Sequence, residues 1–423
     1  MTPLPGAPFL HRRANELWLE DVRLAELAAA HGTPLYVYSR GAMRAALAPY
    51  QKALAGRRHL ICYAMKANSN LAVLQTFAAA GCGFDIVSGG ELRRVLAIGG
   101  DPSRVVFSGV GKAPDELRFA LASGVRCFNV ESESELHALS GVAMSAGRRA
   151  RISLRVNPDV DARTHPYIST GLRGNKFGIA HERAVALYRQ AAHLPGIEVA
   201  GIDCHIGSQI TEGAPYLAAL DRLLDLVEAV EREGIALAHI DLGGGLGITY
   251  RDETPPAADE LIAAMLARID ARGHGHREIL IEPGRSLVGN AGVLLTRVLV
   301  LKRGSERNFC IVDAAMNDLV RPAMYDAWMG IAPCTLREDQ PEVWDVVGPI
   351  CESGDWLGRE RSLALSEGDL LAVTSAGAYA MAMASNYNSR PRAAEVLVDG
   401  AAAHIVRLRE SVEALYADER LVR

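Results

Sequence analysis

The chain has 423 residues, 49% hydrophobic and 22% charged, with a formal net charge of −5 at pH 7. That length suits about two or three domains, and the mild acidity without a Lys/Arg-rich cluster argues against nucleic acid as a partner. The seven cysteines (Cys62, Cys82, Cys127, Cys204, Cys310, Cys334 and Cys351) form no Cys-x-x-Cys pair. A disulfide framework or structural zinc site is therefore not expected, and a reducing cytoplasmic setting is.

Residues 1–13 carry prolines and two arginines but no apolar stretch of the signal-peptide kind. No apolar run reaches the length of a membrane span; the run 292–298 is broken by Arg297. A soluble protein without a membrane partner is expected. A short strand is predicted near 17–19, then a helix over 22–30 that Gly32 stops.

From 59 to 283 short apolar runs alternate with longer amphipathic segments. The runs fall at 59–63, 83–87, 104–107, 125–130, 151–156, 199–205, 237–242 and 278–282. Helical patterns lie between them at 71–80, 91–98, 134–145, 183–192, 216–233 and 257–271. Such runs suit parallel strands buried on both faces, with helices as crossovers. About eight units is the number that closes a (β/α)8 TIM-type barrel, and a doubly wound open sheet is the alternative. After Glu282 the texture changes to long apolar or alternating runs (293–301, 309–312, 370–373, 395–398, 404–408) separated by turn residues. This reads as a mainly antiparallel C-terminal β domain. The expected domains are a barrel over 33–283 and a β domain formed by 1–32 with 284–423.

A barrel enzyme gathers its chemistry where strands end and βα-loops begin. The first run ends in Tyr63-Ala64-Met65-Lys66-Ala67-Asn68. A lysine emerging from an apolar strand is either solvated or partly desolvated, and desolvation frees the amine to attack a carbonyl. The second run carries Asp85, and the sixth ends in His205-Ile206-Gly207-Ser208-Gln209. His205 suits a core histidine, a metal ligand or a flat ring against a cofactor; without a His-x-His, the metal reading is the weakest. The seventh run ends at Gly243, Gly244 and Gly245, either a flexible turn or a phosphate cradle of backbone N–H groups. It is not a dinucleotide fingerprint, because Ile248 stands where a third glycine is needed. The eighth ends in Glu282-Pro283-Gly284-Arg285, where Glu282 either pairs with Arg285 or holds a protonated ring nitrogen. Lysine, phosphate cradle, flat ring and carboxylate together describe pyridoxal 5'-phosphate.

Further motifs extend the pattern along the chain. They are Phe84-Asp-Ile-Val-Ser88, His165-Pro-Tyr-Ile-Ser-Thr-Gly171, Lys176-Phe-Gly178, Arg321-Pro-Ala-Met-Tyr325, Cys351-Glu-Ser-Gly-Asp355, Ala376-Gly-Ala-Tyr379 and Ser385-Asn-Tyr-Asn-Ser-Arg-Pro391. In content, order and spacing the chain resembles the fold-type III pyridoxal-phosphate decarboxylases, most closely the branch acting on diaminopimelate. The resemblance implies an alanine-racemase-like barrel, a β domain that supplies substrate and interface residues, and a homodimer with shared sites. It implies that Lys66 anchors the cofactor covalently and that Asp85 lies nearby. His205 would stack on the ring, and Tyr379 would lie against it. Gly243, Gly244, Gly245, Ser208 and the backbone at Gly284 and Arg285 would hold the phosphate. Glu282 implies a decarboxylase, since racemases of this fold carry arginine there.

By the same resemblance, Cys351 is the proton donor reaching the partner's site, whereas a free cysteine is otherwise a small buried residue. Substrate choice would rest on Arg285, Arg321, Tyr325, Glu352 and Tyr379. Paired arginines suit a distal carboxylate and Glu352 a distal ammonium, the two groups that meso-2,6-diaminopimelate presents on one carbon. A sister decarboxylase for ornithine, arginine or carboxynorspermidine, or a non-catalytic paralogue, is the alternative. Trp328 and Ser375 depart from the family pattern, where a smaller aromatic or histidine and an aspartate are usual. The glycine-rich segment 165–178 predicts a mobile lid.

Overall fold

The computed structural model describes residues 4–161, 165, 168, 170–171 and 174–422. The chain divides into two compact units, one of residues 46–248 and 254–286, the other of residues 1–45, 249–253 and 287–423.

The first unit is a closed parallel barrel. Its strands are β1 (His59–Ala64), β2 (Gly83–Ile86), β3 (Val105–Phe107), β4 (Cys127–Val130), β5 (Ala150–Asn157), β6 (Ile197–Asp203), β7 (His239–Asp241) and β8 (Glu278–Ile281). Each pairs with the next in parallel, and β8 returns to β1 through Ile279↔His59, Leu280↔Leu60 and Ile281↔Ile61. Closure rules out the open doubly wound sheet. The strands are buried at nearly every position, as parallel strands between a core and a helical layer must be. Leu60, Cys62, Val106, Cys127 and Leu280 pack inside.

Seven crossover helices follow: α1 (Leu71–Ala79), α2 (Gly89–Ala97), α3 (Pro114–Ser123), α4 (Glu133–Ser145), α5 (His181–His193), α6 (Ala214–Arg232) and α7 (Ala258–Ala271). Their starts are written in the sequence. Asn70 accepts from Ala72 N, Ser88 from Glu91 N and Ser132 from Glu135 N, each satisfying an otherwise orphaned N–H. Helix α3 begins at Pro114, whose missing N–H harms nothing in a first turn.

The second unit is β-rich. Leu10–Arg13, Glu16–Leu19 and Val22–Arg23 form an antiparallel meander, followed by the helix Leu24–His31 that ends at Gly32 with φ +70°. The long strand Gly292–Lys302 organises a larger sheet, pairing antiparallel with Leu35–Ser39, Phe309–Val312 and Leu370–Val373. Two pairings are parallel: Phe309–Val312 with Glu342–Val347, and Leu35–Ser39 with Ala394–Asp399. Leu10, Leu17, Leu24, Leu35, Val293 and Val396 share its core. Among the described residues no helix is long and apolar enough to cross a membrane. Of the expected lid over 165–178, Pro166, Tyr167, Ser169, Leu172 and Arg173 lie outside the described residues.

Candidate active site at the barrel mouth

The barrel brings Lys66, Asp85, His205, Ser208, the three glycines, Glu282, Gly284 and Arg285 to the C-terminal ends of its strands. After β1 the chain is held back onto the barrel by Ala64 N donating to Pro283 O at 3.0 Å and Met65 N to Asp85 O at 3.3 Å. Tyr63 Oη donates to Asn68 O at 2.9 Å, and the ring of Tyr63 stacks on Phe77 of α1 at 4.3 Å. Lys66 is thereby fixed at the mouth, about one-third exposed, with its Nζ ion-paired to the fully buried Asp85. Oδ1 of Asp85 has no partner among the described residues.

The glycine loop follows from crowding. A Cβ on Gly243 would lie 2.5 Å from Cys204 O, on Gly244 2.0 Å from Glu282 O, and on Gly245 2.2 Å from Gly207 O. Gly243 and Gly245 also take φ of +63° and +99°, where a side chain is strained. Gly244 N donates to His205 Nδ1 at 3.1 Å. That nitrogen is therefore an acceptor, and the ring is neutral with its proton on Nε2. Burial, with Arg155 and Lys66 close by, holds His205 well below its ordinary pKa. Ser208 Oγ accepts from Arg285 Nη2 at 2.9 Å, which ties the loop after β6 to the start of the short helix Arg285–Val288. Gly284 sits where a Cβ would press on Ala64 and Ala67.

Glu282 is buried and takes neighbours that its sequence setting did not suggest. Its Oε1 accepts from Asn129 Nδ2 at 3.3 Å, and its N donates to Gly243 O at 2.7 Å. Carboxylate oxygens of Glu282, Asp203 and Asp241 lie within 4.8 Å of one another, all buried. Arg155 on β5 stands 4.0 Å from Asp203 but only 3.0 Å from Glu131. Burial first, then the neighbouring carboxylates, pushes Glu282 and Asp203 well above the usual carboxylate range, and Asp241 up to about 7. Asn129, Arg155, Asp203 and Asp241 were missed in the sequence reading. Their signal was a polar residue inside an apolar strand, but only barrel closure shows that they point inward together.

The β unit holds the other expected site residues. Arg321 opens the short helix Arg321–Tyr325, is buried, and lies over the rings of Tyr250 and Tyr325 at 5.3 and 5.6 Å. Cys351 is exposed, unlike the six buried cysteines. Its loop is braced by Asp355, which accepts from Met316 N at 2.6 Å and Ile350 N at 2.8 Å, and Glu352 hydrogen-bonds the Tyr387 hydroxyl. Tyr379 is half-buried with φ +53°. Of the two unusual positions, Trp328 lies beneath Arg251 and Arg361, and buried Ser375 donates to Asn290 Oδ1 at 2.8 Å.

Chemically, the mouth offers an amine, a cradle only glycine can form, a neutral flat imidazole and buried acid in excess of its cations. That set fits a phosphorylated aldehyde whose ring nitrogen carries a proton, as pyridoxal 5'-phosphate does.

Comparison with known proteins agrees. Residues 40–289 match the family model described as pyridoxal-dependent decarboxylase, pyridoxal binding domain. The chain is 58% identical to the diaminopimelate decarboxylase of Pseudomonas aeruginosa, covering 97% of this chain and 98% of that one. It is 55% identical to the diaminopimelate decarboxylase of Vibrio cholerae, over 98% and 99%. Among solved structures, diaminopimelate decarboxylase of Helicobacter pylori complexed with L-lysine is similar at TM-score 0.89 and 39% identity, covering 93% of this chain and 98% of that one.

Proposed function

The chain belongs to the pyridoxal-dependent decarboxylases, and on that footing we propose that it converts meso-2,6-diaminopimelate to L-lysine and CO2, the last step of lysine biosynthesis. Full-length relatives bearing the diaminopimelate decarboxylase name support the substrate. The observation that carries the chemistry is the barrel mouth, where Lys66 and the glycine loop meet a buried carboxylate, Glu282.

Pyridoxal phosphate, when bound, supplies an electron sink for the pair left behind as CO2 departs. The protein's residues do the rest. Lys66 is the covalent anchor, and Asp85 orients its amine. Gly243, Gly244, Gly245, Ser208 and the backbone at Gly284 and Arg285 hold the phosphate. His205, neutral, offers a flat face without adding charge. Glu282 keeps the ring nitrogen protonated, which deepens the sink. Cys351 returns a proton to the α-carbon, and its exposure on a braced loop suits delivery into the site of a second copy in a homodimer. Arg321 and Arg285 pair with carboxylate and Glu352 with the distal ammonium, while Tyr325 and Tyr379 line the substrate. The β unit is thus the source of substrate and interface residues.

The test is side-by-side CO2 release from meso-diaminopimelate, L-lysine, ornithine and arginine. Release from the first alone is expected; turnover confined to ornithine or arginine overturns the substrate. Borohydride reduction and peptide mapping are expected to place the cofactor label on Lys66. An unlabelled Lys66 would leave a binding role only.

A further inference from the structure

Asp241 ends β7 directly below the glycine loop. Its Oδ1 accepts the Gly243 N–H at 3.0 Å, while the Glu282 N–H donates to Gly243 O at 2.7 Å. Gly243 is therefore clamped from both sides by two acidic residues. Oδ2 of Asp241 and Oδ1 of Asp203 meet no N–H or O–H donor among the described residues, although both side chains are fully buried. What stands within reach is carboxylate, since one oxygen from each of Asp203, Asp241 and Glu282 lies within 4.8 Å of the others.

The charged groups facing this trio are Lys66 from the loop after β1, Asp85 from β2, Glu131 just after β4 and Arg155 from β5, with the thiols of Cys62, Cys127 and Cys204 on β1, on β4 and just after β6. Lys66 is engaged by Asp85 and Arg155 chiefly by Glu131. Three anions in so small a buried volume repel strongly, and the side chains of Asp241 and Glu282, which lie within hydrogen-bond reach of each other, are stable there only with a proton between them.

We propose that Asp241 is a positioning residue for Glu282, holding a proton that the two carboxyls share, so that the pair presents a single negative charge to the cofactor's ring nitrogen. The inference rests on the reading that Glu282 faces that nitrogen. Asp241 then has two tasks: it fixes the phosphate loop through Gly243, and it fixes the charge state of the carboxylate behind the ring. Burial raises Asp241 to about 7, in keeping with a retained proton.

Asparagine at 241 can mimic the protonated acid, accepting from Gly243 and donating to Glu282, but it cannot lose a proton. Alanine can do neither. The experiment uses the cofactor-loaded enzyme and two readouts across the pH range around 7. Infrared spectroscopy follows the carbonyl stretch of a buried protonated carboxyl, and visible absorbance follows protonation of the bound ring. The wild type is expected to show the infrared band at acidic pH and to lose intensity from it on raising the pH, with a change in absorbance in step. Asp241→Asn should lose one carboxyl's share of that titrating intensity, Asp203 and Asp318 keeping theirs, together with the absorbance change, while Asp241→Ala loosens the cofactor about tenfold or more.

A clamp on Gly243 alone would leave the pH dependence untouched by asparagine. Glu282→Gln removes the partner charge, so the Asp241 proton should leave at lower pH, by about one unit or more. An absent band in the wild type, a band unchanged in Asp241→Asn, or a titration unmoved in Glu282→Gln overturns the inference. Since Lys66 labelling is scored separately, loss of the shared proton with Lys66 labelled refutes this inference and leaves the proposed function standing.

Discussion

Glu282 lies between an apolar strand and a Pro-Gly turn, and the fold surrounds it with acid rather than with base. Keeping a carboxylate there is unfavourable to the free protein, because burial and its neighbours raise its proton affinity. A cationic ring nitrogen reverses that balance. Glu282→Gln keeps the shape and the Asn129 contact but removes the charge. Decarboxylation is expected to slow by about a hundredfold, the scale for losing one preorganised electrostatic group, as read by single-turnover CO2 release. Residues of this kind divide sharply in how legible they are. Lys66, His205, the glycines and Glu282 announce themselves at strand ends, where a polar residue follows an apolar run. Asp203 and Asp241 end strands too, but nothing in a linear sequence says that two strands place their last carboxyls within 4.8 Å of a third. That proximity belongs to the barrel register.

At the scale of elements, the barrel strands were legible to within about two residues at each end, because eight short apolar runs have few other uses. The crossover helix α3 was not, since its ten residues bury only three and its pattern is weak. In the β unit, Glu342–Val347 and Trp356–Leu363 escaped notice because charged residues interrupt them, and Ile331–Pro333 because it is three residues ending in proline; pairing partners rather than apolar content make them strands. Elements also explain which glycines matter. Gly244→Ala drives a Cβ against Glu282 O and should destabilise by roughly 1–3 kcal/mol while weakening cofactor retention. Gly141, inside α4 with open space around it, should gain up to about 1 kcal/mol on conversion to alanine. Urea unfolding of the two variants is expected to shift the midpoint in opposite directions.

A second element-scale expectation concerns pH. Asp318 is buried and accepts from Ala315 N at 3.0 Å, and burial raises it from 3.8 to about 6. A carboxyl raised on folding binds its proton more tightly in the native state. Its stabilising contribution is therefore full below about 4 and is lost as pH rises through about 6. Asp318→Asn keeps the acceptor for Ala315 and removes the titration. The wild type should lose about 2–3 kcal/mol relative to this variant across that window. Chemical unfolding at several pH values checks it, and parallel curves would refute it.

At the scale of the whole molecule, the residues of the proposed reaction are split between two units of one chain: Lys66, His205 and Glu282 in the barrel, Cys351, Glu352 and Arg321 in the β unit. An exposed thiol on a loop held rigid by Asp355 has no packing task to explain its position. If it serves a second copy, a C2 dimer makes the arrangement reciprocal, each barrel completed by its partner's loop. Lys66→Ala and Cys351→Ala should then each be nearly inactive alone, yet active when their subunits are mixed and allowed to exchange. Random exchange makes about half the dimers mixed, and each mixed dimer holds one site with both residues intact and one with neither. Activity should therefore climb to about one-quarter of the wild-type value. A thiol serving its own barrel would give no recovery at any mixing ratio, because every site would then lack one of the two groups.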